Sequence, residues 1–313
     1  MKSSKKSASL ARFLSLVLIM SVESCFAQAL PPVRGEYTPG VSAINSGVVP
    51  EPGLTYANNF LAYSFGRFVS ARGDSISEQG NAAAFKDVNV FEWVFKKPIL
   101  TGNFAVVAGL PFTSSSLTSV TLGAVSGSGF ADFSFQPATF GWHLKRADLQ
   151  AAYVFFAPTG RFVAGATDNV GAGFWTNAPT VGETIYLTKN KGTQLSAYQM
   201  YEFHTTQEGT NVHPGQTMDL DYSLTQVLPL QKNQHTLLQF GVAGYGQWQT
   251  SNNSGPGVNP RDPGHYRVNA IGGAANITLP VRELAVGFKL FKEFSNSSTV
   301  QGFSLQITGA VTF

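Results

Sequence analysis

The segment GFSLQITGAVTF, residues 302 to 313, closes the chain and decides how the rest is read. Phe303, Leu305, Ile307, Gly309, Val311 and Phe313 share one face of an extended backbone. Gly302, Ser304, Gln306, Thr308, Ala310 and Thr312 share the other. Strand side chains alternate across a sheet, so this segment offers an apolar face to lipid or core and small polar groups to the opposite side. About ten residues of tilted strand are enough to cross a bilayer.

The preceding chain repeats the pattern. Leu284, Val286, Phe288 and Leu290 oppose Ala285, Gly287 and Lys289, and Leu238, Phe240 and Val242 oppose Gln239, Gly241 and Ala243. Met218, Leu220, Tyr222 and Leu224 oppose Thr217, Asp219, Asp221, Ser223 and Thr225. Two carboxylates on a membrane strand are costly against lipid, so Asp219 and Asp221 are expected to face a polar lumen. Twelve strands follow after Pro52-Gly53: 54 to 68, 84 to 96, 103 to 112, 129 to 144, 148 to 157, 173 to 188, 192 to 206, 215 to 227, 235 to 250, 265 to 279, 283 to 293 and 302 to 313. The strands at 84 to 96 and 148 to 157 alternate less cleanly, with Phe155 and Phe156 placing rings on both faces.

The connections alternate long and short. Val69 to Ala83, Thr113 to Ser128, Pro158 to Ala172 and Ser251 to Gly264 are long, while Lys97 to Gly102, Lys145 to Ala147, Lys189 to Lys191 and Pro280 to Arg282 are short. Outer-membrane barrels carry short periplasmic turns and long outer loops, so both termini are expected on the periplasmic side. Trp93 and Trp142 then fall near lower strand ends and Trp175 and Trp248 near upper ones, as interfacial girdles require. The fold expected is all-β, an antiparallel transmembrane β-barrel of about 12 strands.

At the other end, Lys2, Lys5, Lys6 and Arg12 precede an apolar run from Phe13 to Val22 and then Ser24-Cys25-Phe26-Ala27, the layout of a cleaved signal peptide over residues 1 to 27. The alternative is a lipoprotein box acylated at Cys25. Cleavage after Ala27 removes four of the 21 Lys and Arg and one of the 18 Asp and Glu, leaving 17 of each. The mature chain is therefore near neutral, and no basic patch supports a nucleic-acid partner. Charged residues are 12% against 43% apolar, yet past the leader no apolar stretch reaches the ~18 residues of a membrane helix. A soluble all-β domain is the other class of this composition. Residues 28 to 53, with Pro31, Pro32, Pro39, Pro50 and Pro52, show no period and read as an irregular periplasmic or plug segment.

Motifs for catalysis are weak. His143, His204, His213, His235 and His265 show no metal-ligand spacing, and His204 beside Glu202 reads as a solvated polar pair at the lumen edge. Gly127-Ser-Gly129 and Gly171-Ala-Gly173 fall in loops without the strand-to-helix context of a phosphate cradle. No cofactor, no metal and no enzymatic activity are expected.

Several motifs carry a resemblance. Gly129-Phe-Ala-Asp132, Pro137, Phe140-Gly141-Trp142, Tyr153-Val-Phe-Phe-Ala-Pro158-Thr-Gly160-Arg161, Gly173-Phe174-Trp175, Gly241 to Gln249 and Pro50-Glu51-Pro52-Gly53 together resemble the meta-pathway phenol degradation family, outer-membrane channels encoded beside aromatic-catabolism enzymes. The terminal Phe313 resembles the signal that insertion machinery reads on such barrels. The resemblance implies a passive outer-membrane channel for small hydrophobic or aromatic compounds, with outer-membrane lipid, barrel-insertion machinery and the solute as partners. Lumen or path residues are then Asp219, Asp221, Gln239, Tyr245, Gln247, Lys289 and Tyr153, with Arg161 at a loop mouth. A structural or adhesion barrel and a barrel hydrolase are the alternatives.

Overall fold

The computed structural model describes residues 34–76, 80–119, 123–231, 235–259, 262 and 264–313. The leader over residues 1 to 27, Cys25 included, lies outside the described residues. Thirteen strands run in order: β1 (Gly53–Val69), β2 (Gly80–Val94), β3 (Asn103–Ser119), β4 (Gly123–Phe130), β5 (Phe133–His143), β6 (Ala147–Ala157), β7 (Thr176–Tyr186), β8 (Thr193–His204), β9 (Thr217–Pro229), β10 (Leu237–Gln249), β11 (Arg267–Leu279), β12 (Leu284–Glu293) and β13 (Thr299–Thr312). Each pairs antiparallel with its neighbours, and β1 pairs with β13, Thr55 opposite Thr312 and Phe60 opposite Ile307, which closes the sheet.

β4 and β5 are one stave in two pieces. β4 pairs with the end of β3 from Phe112 to Ser119, and β5 with the start from Asn103 to Gly109. The closed barrel therefore has twelve staves. Two expectations change here. Thr113 to Ser128, expected as a long loop, is mostly strand, and Gly127 and Gly129 lie on β4. Thr113 to Ser119 is nearly all Ser and Thr and has no apolar period, yet its backbone pairs with both β2 and β4. The strand expected at 129 to 144 is broken at Ala131-Asp132. It also bulges at Pro137, which has no N–H for the ladder, so Ala105 faces Thr139 but Val107 faces Gln136.

The outer surface is apolar: Phe85, Leu110, Val242, Ile271, Val286 and Phe288 are each roughly half exposed. In water so broad an apolar belt would be an aggregation hazard, whereas outer-membrane barrels as a class carry such a belt. One place on it is polar. Asn58 on β1 and Asp87 and Asn89 on β2 share the outward face with Phe60, Phe85 and Phe91. They satisfy one another: Asn58 Nδ2 donates to Asp87 Oδ1 at 2.5 Å, and Tyr56 Oη donates to Asn89 Oδ1 at 2.6 Å.

Residues 34 to 52 lie inside the barrel. Arg34 is held near the upper rim by Thr299, Val300 and Glu293, while Pro50 accepts from Asn103 at the foot of β3. This segment therefore descends the lumen before the chain enters β1. Gly40 adopts φ +87°, which favours glycine, and its α-carbon sits against Phe291 and Tyr245. Lower down, Gly182 of β7 leaves room for the Ser46 carbonyl, so plug and wall meet backbone to backbone.

Candidate functional site

The plug is fastened to one side of the barrel by wall side chains that hold its backbone. The Asp221 carboxylate on β9 accepts from Tyr37 Oη at 2.6 Å, Gly40 N at 2.7 Å and Ser42 N at 3.0 Å. Glu202 on β8 accepts from Glu36 N at 2.8 Å and Tyr37 N at 3.0 Å. Lys289 on β12 donates to the carbonyls of Gly40 and Val41 at 2.7 and 2.6 Å. Gln239 on β10 exchanges two hydrogen bonds with Asn45, at 3.2 and 3.0 Å. Hydrogen bonds to ionised groups are the strong kind, and here they satisfy peptide groups that have no ladder of their own. Burial, and then the Asp221 carboxylate, push the Tyr37 hydroxyl well above its ordinary value, so it stays protonated as a donor.

This placement separates the expected lumen residues. Asp219, Asp221, Gln239, Tyr245, Gln247 and Lys289 all point inward and are buried. Asp221, Gln239 and Lys289 are committed to the plug, and Asp219 accepts from Gln247 Nε2 at 2.8 Å. Tyr245 packs edge-on to Phe291 and donates to Glu293 at 3.2 Å. Tyr153 is a correction: it lies on the outer face of β6, its hydroxyl on Asn177, because Val154 and Phe156 take the inner positions. Arg161 sits in the outer loop in an exposed ion pair with Asp168, 3.0 Å apart. The Glu202 and His204 pair is also corrected. Both are buried beneath the plug rather than solvated, with His204 Nδ1 on the Thr176 hydroxyl at 2.8 Å.

On the opposite side the plug leaves space. A cavity of about 220 Å³ lies between Glu36, Tyr37, Val41 and Ser42 of the plug and the wall formed by β1, β2, β3, β5, β6 and β8. Val88, Val90, Pro111, Val154, Phe156 and Met200 make its apolar part, and Lys86, Asp132, Asn59, Ser134 and Gln136 its polar part. A second cavity of about 200 Å³, lined by Leu61, Tyr63 and Tyr245, shares Tyr37, Thr38 and Lys86 with the first. Sequence reasoning missed Lys86 and Glu36. Reading β2 by parity puts Lys86, Val88, Val90 and Glu92 on one face, but the outward Asp87 and Asn89 hide that this face is the inner one.

Asp132, also on the cavity wall, sits at the break between β4 and β5. Its carboxylate accepts from Gly160 N at 2.8 Å and Ala172 N at 2.6 Å, and Phe133 N donates to Thr159 at 3.0 Å. The break thus anchors the outer loop of residues 158 to 175. The motif residues Asp132 and Pro158-Thr-Gly160 meet at this one point. The family model described as "Putative MetA-pathway of phenol degradation" matches residues 65–308. The chain belongs to this family. As a phenol-degradation family member it also shares its fold with solved outer-membrane proteins. The COG4313 outer membrane channel from Pseudomonas putida F1 is similar at TM-score 0.72 and 14% identity, over 89% of this chain and 100% of that one. The β domain of the Bordetella autotransporter BrkA is similar at TM-score 0.56 and 10% identity, over 84% and 100%. Nothing among curated proteins matches the sequence. At these identities the likeness concerns the fold, that of a Gram-negative outer-membrane β-barrel.

Proposed function

We propose that this family member is a passive outer-membrane channel for small hydrophobic or aromatic compounds, driven by their concentration gradient and using no cofactor. The observation that carries the reading is the one-sided plug. It narrows a twelve-stave lumen to two adjoining cavities of ring-like size whose walls are partly apolar. Barrels of eight strands are filled by side chains and those of sixteen or more hold open water, so twelve with a plug suits a narrow path. Small apolar solutes gain from contact with valine, methionine and aromatic walls, while sugars would strip their hydroxyls of water without enough partners. The family and the fold shared with an outer-membrane channel support the same reading.

Residues 1 to 27 serve in this reading as the export leader, 28 to 53 as the plug segment and 54 to 313 as the barrel. Phe313 serves the insertion machinery, and the apolar belt meets outer-membrane lipid. The test is entry of phenol or toluene, against a sugar of similar size, into liposomes carrying the refolded mature protein. Aromatic entry above that of protein-free liposomes with little sugar flux supports the channel. Equal entry with and without protein would overturn it and favour a structural barrel, for which a plug bound in the lumen is also suited.

A further inference from the structure

Lys86 and Glu36 are the groups in the larger cavity whose chemistry the plug does not use. Lys86, on the inner face of β2, stands where the two cavities meet. Lys289 donates twice to the plug, but Lys86 Nζ has neither a hydrogen bond nor an ion pair among the described residues. Glu36 Oε1 is buried in the same cavity without a hydrogen-bond donor. Its backbone N–H donates to Glu202 Oε2 at 2.8 Å, which holds this stretch of the plug against the wall beside the cavity. Beside this polar pair the wall is apolar, with Val88, Val90, Phe156 and Met200. An apolar cavity of about 150 Å³ suffices for benzene, so about 220 Å³ has room for a six-membered ring with a substituent.

We infer that this cavity is a binding site for a neutral, ring-sized solute bearing a single hydroxyl group, with the hydroxyl oxygen accepting from Lys86 Nζ and its proton directed to Glu36 Oε1. The charge arrangement selects this class. A hydrocarbon would fill the apolar part but give neither the Lys86 ammonium nor the buried Glu36 Oε1 a hydrogen-bond partner. A ring carboxylate would pair with Lys86 but meet the negative charge of Asp132 on the same wall. A hydroxyl both accepts and donates and brings no charge. A site built to hydrogen-bond a hydroxyl discriminates strongly against the analogue that lacks it.

The inference rests on the channel reading, and its test is separable from that reading. Equilibrium dialysis of radiolabelled phenol, cyclohexanol, toluene and benzoate against the mature protein in lipid nanodiscs, corrected for empty nanodiscs, is expected to give saturable binding of the first two. Toluene and benzoate should bind at least about tenfold more weakly. Lys86→Met should invert the preference, weakening phenol by about tenfold or more while toluene gains, a change that loosened packing alone would not produce. Val90→Phe, which fills the apolar part and leaves both polar groups in place, should weaken every solute. Gel mobility of unboiled samples confirms that each variant keeps its barrel. Toluene binding as tightly as phenol, or phenol binding unaltered in Lys86→Met, would overturn the site. Liposome flux that persists in either case leaves the channel standing, whereas binding without any flux would keep the site and remove the channel.

Discussion

Single residues carry contrasting electrostatic duties on the two faces of this wall. Asn58, Asp87 and Asn89 face outward among phenylalanines and are tolerated because they bond to one another. Removing one member is therefore worse than removing a pair. Asn58→Leu should destabilise the barrel by about 1–3 kcal/mol in denaturant unfolding from liposomes, and Asn58→Leu with Asp87→Leu should recover most of the loss. Equal loss in both variants would mean that the pair does not offset its own desolvation. On the inside, burial first and then the Asp132 carboxylate hold the Glu36 carboxyl well above the usual carboxylate range, while Lys86 pulls the other way and Glu202 adds to the rise. A group whose value is raised in the folded state favours folding when protonated. Plug docking should thus be strongest at low pH and weaken as pH rises from about 4.3 through the raised value. Conductance should rise over that window in the wild type and be flatter in Glu36→Gln; an unchanged slope would move the titration to another group.

At the scale of elements, the plug and the long outer loop are both held by wall residues rather than by their own secondary structure. The plug's seat on β7 depends on the space at Gly182, where a side chain would run into the Ser46 carbonyl. Gly182→Val should unseat the plug, raising single-channel conductance while the barrel's pairing persists. An unchanged conductance would mean that this contact does not hold the plug in the lumen. The loop of residues 158 to 175 hangs on Asp132, and Asp132→Ala leaves Gly160 N and Ala172 N without their acceptor. Loop opening should become easier by about 1–3 kcal/mol, read as faster tryptic cleavage after the exposed Arg161. The strands were legible wherever the outward face is apolar and the inward face polar, as in β9, β10, β12 and β13. They were obscure where that contrast fails. β2 carries Val88 and Val90 inside and Asp87 and Asn89 outside, the upper half of β3 is serine and threonine on both faces, and the Pro137 bulge shifts the parity of β5 midway.

For the whole molecule, pairing between β1 and β13 ties the two ends of the barrel together, so the first and last strands are not open edges. Such a barrel should resist detergent, so unboiled protein should migrate apart from boiled protein on a gel; coincident bands would indicate that closure is weak. Period two is a local property, set by which side of the sheet each side chain takes. The sequence by itself therefore determined an antiparallel barrel of about twelve strands and the inward direction of Asp219, Asp221, Gln239 and Lys289. What those groups bind is set by neighbours far away in the chain: Asp221 and Tyr37 are 184 residues apart, and Glu202 and Tyr37 are 165. Only the tertiary structure decided that the lumen holds the plug, that Asp221 and Lys289 are occupied by its backbone, and that Lys86 and Glu36 are left facing a cavity. Alternation fixes a side chain's direction, whereas its partner depends on how an aperiodic segment threads a closed space.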